Sequence, residues 1–263
     1  MTTLGYFATV LMGLTLGLFG GGGSILTIPI LVYLFGIAPV LAGTYSLFLV
    51  GLAAAVGMFR SIRRGLVEPR LGFAFAAPSL AGTLAVRRIL LPALPEQLVD
   101  LGPWQLTRGA FVMGVFAVLM VLAAASLLKP ASQRPSPRPR PGATAFAAQG
   151  MLIGAVTGFV GAGGGFLITP ALMAFGRLPL ATAAGTSLMI LALNGTLAFA
   201  ADAARLGAVD WRLLATLAAL ALAGIVLGIE LAPRMPEARL KRAFGLFVLV
   251  TGSLILAQQM LRG

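Results

Sequence analysis

The sequence predicts an all-α, polytopic membrane protein made of two homologous halves. Of its 263 residues 59% are hydrophobic and only 10% are charged, with a mean hydropathy of +1.00. Apolar stretches of 16 to 24 residues recur from end to end, the length of a helix that crosses a bilayer. A fifteen-residue segment that begins at Gly17 recurs 141 residues later at Gly158, with seven identical positions. One duplicated domain is therefore favoured over two independent domains.

Each copy of the repeated segment places a run of small residues inside an apolar stretch. Residues 20–24 are four glycines and a serine, and residues 161–165 are four glycines and one alanine. Glycine inside a helix costs about 1 kcal/mol per residue, so each copy predicts a helix that ends and restarts. In a bilayer such a break is tolerated only where it is buried in protein or lines a cavity. Close helix packing is the alternative reason for glycines in a membrane protein.

Taken in order, the first half comprises residues 1–128. It contains a broken helix over residues 4–35 and three full spans over residues 40–59, 71–91 and 108–128. Pro39 is suited to the first turn of the second element, and Pro78 predicts a kink. Arg87 and Arg88 lie near the end of a span, where their side chains can reach the interface. Residues 92–107 are polar and predict an interfacial loop.

The second half, residues 143–263, follows a basic, proline-rich linker at residues 129–142. It repeats the first half with a broken helix over residues 143–175 and spans over residues 179–201, 211–231 and 240–261. Two further sequence matches between the halves support the duplication. Ser46-Leu47 matches Ser187-Leu188, and Gly65-x-Val67-Glu68 matches Gly207-x-Val209-Asp210.

The basic residues predict which side of the membrane each connection occupies. The connections at residues 60–70 and 129–142 are both basic, which places them in the cytoplasm. If each broken helix is re-entrant, the halves are inverted and 13 of the 19 basic residues lie inside. If each broken helix crosses once, the halves are parallel and 11 of the 19 lie inside. The distribution favours inverted halves, with both termini outside, without excluding parallel ones.

The two glycine motifs carry a resemblance to a known family. Gly-x-x-Gly-Gly-Gly-Gly-Ser-x-x-x-x-Pro from Gly17, paired with Gly-x-x-Gly-Ala-Gly-Gly-Gly-Phe-x-x-x-Pro from Gly158, resembles the sulfite exporter family TauE/SafE. The stretch from Ala184 to Leu188 is also similar to that family's second-half pattern. The resemblance implies a bacterial inner-membrane permease for sulfur-containing anions such as sulfite, sulfoacetate or other organosulfonates. Gly43-Thr44-Tyr45-Ser46 has a tyrosine inserted in the pattern, so equal roles for Thr44 and Thr186 do not follow.

The residues themselves also indicate an anion site. A helix that restarts after glycines presents unpaired N–H groups and a partial positive charge, and glycine lets the backbone approach a ligand closely. In an inverted repeat the two breaks should meet near the membrane midplane. Thr27 and Thr169 are weaker candidates, for which positions on helix faces are expected instead. The predicted substrate-binding residues are Gly20, Gly21, Gly22, Gly23, Ser24, Thr44, Ser46, Gly161, Gly163, Gly164, Gly165, Thr186, Ser187 and Asn194.

Composition excludes several other functions. The chain has no cysteine and no histidine, which removes thiolate catalysis, disulfides and the usual zinc sites, and no cofactor is expected. All seven acids lie in connections or at span ends, so an intramembrane enzyme is not predicted, and substrate should be held by neutral donors without a buried arginine. The formal charge of +12 is attributed to topology and lipid contact and not to nucleic acid. An uncoupled anion channel, a non-transporting assembly protein and homodimerisation remain open.

Overall fold

The computed structural model describes residues 2–101, 104–128, 142–161, 163–203, 209–234 and 236–262. These residues are almost entirely helical, which confirms the predicted fold class. The helices are α1 (Thr2–Phe19), α2 (Thr27–Pro29), α3 (Pro39–Arg63), α4 (Pro69–Ala85), α5 (Leu91–Ala93), α6 (Arg108–Leu128), α7 (Ala143–Val160), α8 (Gly165–Ala174), α9 (Leu180–Ala203), α10 (Trp211–Leu231) and α11 (Glu237–Arg262).

Five helical stretches of the described chain are long and apolar enough to cross a membrane. They are Thr3–Leu34, Pro39–Arg63, Pro69–Ala93, Leu180–Ala203 and Trp211–Leu231. Two of these stretches are not regular α-helix throughout. The first contains a 3-10 helix at Gly20–Leu26 and a π-helical turn at Ile30–Leu34, and the third contains a π-helical turn at Val86–Leu90.

Residues 92–107, predicted as an interfacial loop, contain two short β-strands. Gln97–Leu101 (β1) and Trp104–Thr107 (β2) pair as a two-stranded antiparallel ribbon. The two strands flank Gly102-Pro103, a dipeptide that favours turns. The linker predicted at residues 129–142 lies outside the described residues except for Gly142, which precedes α7.

The first broken helix folds back on itself. Past the 3-10 helix the chain reverses direction, and the ring of Phe35 lies 5.5 Å from the ring of Tyr6, near the start of α1. Gly5 also faces Phe35 and Leu34. Both ends of this element therefore lie at the same end of the molecule, and the glycines form its tip.

Helices of one half pack mainly against helices of the other. The largest interfaces join α1 to α10, α4 to α7, α3 to α9 and α6 to α11. In the α1–α10 pair Gly13 packs on Ala221 and Gly17 on Gly228, so the two helices run in the same direction. In the α4–α7 pair Phe75 packs on Gly150 and Thr83 on Gly158, again in the same direction.

The pair formed by α3 and α9 runs antiparallel. Gly51 packs on Gly195, while Thr44, nearer the start of α3, meets Asp202 at the end of α9. The glycines in all three interfaces bring main chains into contact, which substitutes for the hydrophobic driving force that is missing between helices in lipid. The central apolar cluster, which includes Leu16, Val50, Ile168, Leu191 and Ile225, draws on both halves.

Candidate functional site

The tips of the two glycine breaks touch each other in the middle of the molecule. Gly21 lies main chain to main chain against Gly165, and a Cβ added to either residue would collide with the other. Gly20 lies against Ala184 on α9, where an added Cβ would also collide. Residues 20–24 are fully buried, as are Gly163, Gly164 and Gly165. The two motifs that the sequence singled out therefore form one structural feature.

Ser187 links the two tips by hydrogen bonds. Its Oγ accepts from the main-chain N–H of Gly21 at 3.1 Å and from Oγ1 of Thr169 at 2.9 Å, and it donates to the carbonyl oxygen of Ala184 at 2.8 Å. Ser24 donates to the carbonyl of Gly21 at 2.9 Å. Neutral donors from three elements thus converge on the contact between the breaks.

Thr169 belongs to this group, although from the sequence it was a weaker candidate and a helix face was favoured for it. It lies four residues after Gly165, which puts it one turn along α8 on the side of the break. That spacing was visible in the sequence, but the position of Ser187 opposite it was not.

The second break depends on left-handed backbone. Gly161, Gly163 and Gly164 have φ values of +81°, +69° and +73°, which residues with a Cβ rarely adopt. The chain turns sharply there, with Gly161 against Gly43 and Gly163 against Val50 on α3. The start of α8 is thereby aimed at the first break.

The other predicted site residues are buried but lie at separate places. Thr186 Oγ1 accepts from the main-chain N–H of Glu68 at 3.0 Å. Asn194 Nδ2 donates to Oγ of Ser79 at 2.8 Å, while its Oδ1 has no partner among the described residues. Ser46 Oγ likewise has no partner in the described part of the chain.

Thr44 lies in a charged network that the sequence analysis missed. Its Oγ1 accepts from Nη2 of Arg87 at 2.6 Å and donates to Oδ2 of Asp202 at 3.2 Å, and Arg87 forms an ion pair with Asp202. Arg87 is only 8% exposed. The expectations that Arg87 reaches the interface and that no arginine is buried are therefore wrong. Arg87 lies in a π-helical turn, which displaces side chains from the regular α-helical pattern. A prediction that assumes a regular helix therefore misplaces the side chain of Arg87.

Acidic side chains do not gather at the breaks. Among the described residues no group of three or more Asp and Glu side chains could hold a metal ion. The described polar groups at the contact of the two breaks are main-chain N–H and carbonyl groups and the hydroxyls of Ser24, Thr169 and Ser187.

Comparison with known proteins places this geometry in a family. The family model described as "Sulfite exporter TauE/SafE" matches residues 6–255, nearly the whole chain and both glycine breaks. The chain belongs to the sulfite exporter TauE/SafE family. This TauE/SafE chain is also 32% identical over 246 residues to a "Probable membrane transporter protein" of Xylella fastidiosa (strain 9a5c), covering 91% of this chain and 88% of the relative.

A second relative, from Xylella fastidiosa (strain Temecula1 / ATCC 700964), bears the same name and is 32% identical over 248 residues, with 91% and 88% covered. No solved structure matches the chain. The resemblance stated from the glycine motifs is confirmed, and the TauE/SafE chain is a multi-pass protein of a membrane transporter family.

Proposed function

We propose that this protein moves a small sulfur-containing oxyanion, such as sulfite or an organosulfonate, out of the cell across the inner membrane. The anion binds where the two glycine breaks meet, near the membrane midplane. The observation that carries the proposal is the direct contact of Gly21 with Gly165 beside Ser187. Two main-chain tips that end in glycine, with hydroxyl donors beside them, have the chemistry that an oxyanion needs.

The contact also suggests how transport works. The space between Gly21 and Gly165 does not admit even one additional carbon atom, so an anion binds between the tips only after they separate. When the first tip moves away, the N–H of Gly21 loses its acceptor, Oγ of Ser187, and becomes free for the anion. The hydroxyls of Ser187 and Thr169 stay beside the space that opens. The bound ion then accepts the hydrogen bond that Gly21 gave to Ser187.

An inverted arrangement of the halves is part of the proposal. The pairing of α1 with α10 and of α7 with α4 exchanges equivalent helices, and α3 runs antiparallel to its repeat equivalent α9. These directions are those expected when one half is upside down relative to the other. A single site between two pseudo-equivalent breaks then gives the anion similar surroundings from either side of the membrane, as alternating access requires.

Labelling of cysteine variants tests the inversion in this cysteine-free chain. Ala38 and Leu178 precede Pro39 and Pro179, the equivalent prolines of the two halves. Single cysteines at positions 38 and 178 should react with an impermeant thiol reagent from opposite sides of the membrane. Reaction of both from the same side would show that the halves are parallel.

The transport proposal is tested by uptake into proteoliposomes with sulfite, sulfate, thiosulfate and methanesulfonate compared at equal ionic strength. We expect saturable uptake of sulfite or methanesulfonate, with counterflow when unlabelled anion is trapped inside. Unsaturable flux that follows the membrane potential would instead identify an anion channel. Absence of flux for every anion would contradict the proposal.

A further inference from the structure

Arg87 and Asp202 form a buried ion pair next to the second glycine break. Arg87 Nε and Nη2 bind the carboxylate of Asp202, and Nη1 donates to the carbonyl of Gly158 at 3.3 Å. Arg87 is the only buried charged residue among the described residues, and the side chain of Asp202 is only 15% exposed. The pair joins the π-helical turn that follows α4 to the end of α9. Through Gly158, Arg87 also contacts α7, the helix that leads into the second break.

The corresponding ion pair of the other half is exposed: Arg60, at the end of α3, binds Glu230, at the end of α10, at 2.9 Å. By the register of the repeat, Gly82 matches Gly224 and Ser46 matches Ser187. The same register places Ile229 at the position of Arg87 and Ser61 at the position of Asp202, and these two cannot form an ion pair. Arg60 and Glu230 are the neighbours of these two residues, and their side chains are 34% and 57% exposed, against 5% and 15% for Arg87 and Asp202. The equivalent helices of the other half therefore pack without burying an ion pair.

Stability is also a poor reason for burying these charges. Removing two charges from water costs several kcal/mol per ion, which the attraction between them often fails to exceed. An uncharged pair of similar size would hold α4 to α9 about as well. The π-helical turn at Val86–Leu90, which carries Arg87, is a distortion that frequently marks functional positions.

The surroundings of Arg87 suit a tetrahedral or pyramidal oxyanion. The guanidinium presents a planar fork of donors, and the hydroxyl of Thr44 lies within hydrogen-bond distance of both charged groups. Gly43, which precedes Thr44, lies 3.5 Å from Nη1 measured from the position that a Cβ would take, and it also contacts Gly161 in the break. An anion that leaves the contact of the two breaks on this side therefore meets one positive charge, that of Arg87.

We propose that Asp202 acts as an internal substitute for the substrate: its carboxylate occupies Arg87 until the transported oxyanion displaces it. This inference rests on the proposed function and adds a specificity-determining residue to it. Exchange of one anion for another at Arg87 keeps the guanidinium neutralised throughout, so the charge is never left buried and unpaired. This exchange also selects for anions with at least two oxygens that can accept hydrogen bonds from the guanidinium of Arg87.

Three substitutions test the exchange with sulfite as the probe: Asp202→Asn, Arg87→Gln and, as the matched control, Arg88→Gln. Arg88 is the exposed neighbour of Arg87 and loses the same charge. Sulfite affinity in detergent is measured by calorimetry, and thermal unfolding is followed with and without sulfite against chloride at equal ionic strength. Asp202→Asn removes the competitor, so we expect about tenfold tighter sulfite binding, the scale of one hydrogen bond to a charged group.

For Arg87→Gln we expect loss of sulfite binding by about tenfold or more, and Arg88→Gln should behave like the wild type. Asp202→Asn should be less stable than the wild type in chloride and should recover its unfolding temperature in sulfite, because a ligand that binds only the native state stabilises it. The double variant Asp202→Asn with Arg87→Gln should be stable in both salts and should not respond to sulfite.

Unchanged sulfite affinity in Asp202→Asn, or full sulfite binding by Arg87→Gln, overturns the inference. So does an Asp202→Asn protein that sulfite fails to stabilise while the double variant is normal, because Asp202 is then a structural partner alone. Failure of the proposed function looks different: wild-type liposomes show no anion flux whatever these variants bind. Saturable wild-type transport combined with identical behaviour of all the variants leaves the function intact and removes the role of Arg87.

Discussion

The two glycine breaks have closely related sequences and different backbones. The first runs through a 3-10 helix at Gly20–Leu26, with a positive φ only at Gly20. The second turns sharply, with positive φ at Gly161, Gly163 and Gly164. The first break therefore needs glycine mainly for space, and the second needs it mainly for conformation. A repeated motif can keep its residues while their physical role changes.

The difference follows from what each break packs against. Gly23 lies against the main chain of Thr15 and Leu16, so the first leg and its return stay in contact. Gly164 instead faces the side chain of Thr157, and Gly161 faces Gly43 on another helix. Within the described part of the chain, only the second break has a buried charge nearby: Arg87 donates to the carbonyl of Gly158, three residues before Gly161. The halves are thus similar in architecture and unequal in chemistry.

The largest effect is expected where glycine provides space between the tips. Gly21→Ala places a methyl group against the main chain of Gly165, and neither tip can yield without moving the other. We expect a loss of about 3 kcal/mol in the free energy of unfolding, the upper end for an overpacked interior, together with most of the transport activity. Gly114→Ala, at a helical glycine with no neighbour within 4 Å, is the control and should be silent. Normal transport by Gly21→Ala would show that the contact of the tips is not part of the transport path.

The next largest effect distinguishes the cost of backbone strain from the cost of steric collision at Gly164, in the second break. Gly164→Ala combines a positive φ with a collision against Thr157, whereas Gly36→Ala has φ +69° and open surroundings. Backbone strain alone costs about 1–2 kcal/mol, so Gly36→Ala should lose that amount and Gly164→Ala about 1 kcal/mol more. Thr157→Ala removes the two nearest atoms, Oγ1 and Cγ2, and leaves Cβ at 3.0 Å, so in that background the loss from Gly164→Ala should approach that from Gly36→Ala in chemical denaturation. Equal losses for both glycines in the wild-type background would show that space plays no part at Gly164.

The sequence predicted the features that depend on local signals. The length of the apolar stretches predicted helices, five of which are long and apolar enough to cross a membrane among the described residues. The cost of glycine in a helix predicted that both glycine runs interrupt a helix. The partners across the molecule could not be predicted, because nothing near Arg87 or Asp202 in the sequence indicates that α4 and α9 meet. For the same reason Thr169 was left outside the site although its hydroxyl shares Ser187 with Gly21.

A smaller effect is expected from the matched serines of the two halves. Ser187→Ala removes the acceptor for the N–H of Gly21 and for Thr169, whereas Ser46 has no partner among the described residues. An unsatisfied buried donor costs about 1–3 kcal/mol, so Ser187→Ala should lose about 2 kcal/mol and Ser46→Ala close to nothing. Thermal and chemical unfolding of the two variants measures the difference. A loss in Ser46→Ala equal to that in Ser187→Ala would show that both halves use the serine alike.

The smallest effect concerns a pair of contacts that the two halves share. Tyr45 OH accepts from the main-chain N–H of Asp210 at 2.9 Å, and Thr186 Oγ1 accepts from that of Glu68 at 3.0 Å. Tyr45 corresponds to Thr186 in the repeat, and Asp210 corresponds to Glu68. The equivalent of Thr186 is therefore Tyr45 and not Thr44, which explains why the tyrosine interrupts the first-half pattern. Each hydroxyl ties a connection of one half to a helix of the other.

Tyr45→Phe and Thr186→Val should each cost about 1 kcal/mol in unfolding free energy, because each removes one net hydrogen bond at nearly constant volume. The two losses should agree within about 0.5 kcal/mol and should add in the double variant, since the contacts lie at opposite ends of the antiparallel pair α3 and α9. Tyr33→Phe is the matched control: its hydroxyl has no partner among the described residues, so its removal should leave stability unchanged or slightly raised. A cost for Thr186→Val alone would mean that the tyrosine only fills space in the first half. The symmetry between the halves would then be confined to their main chains.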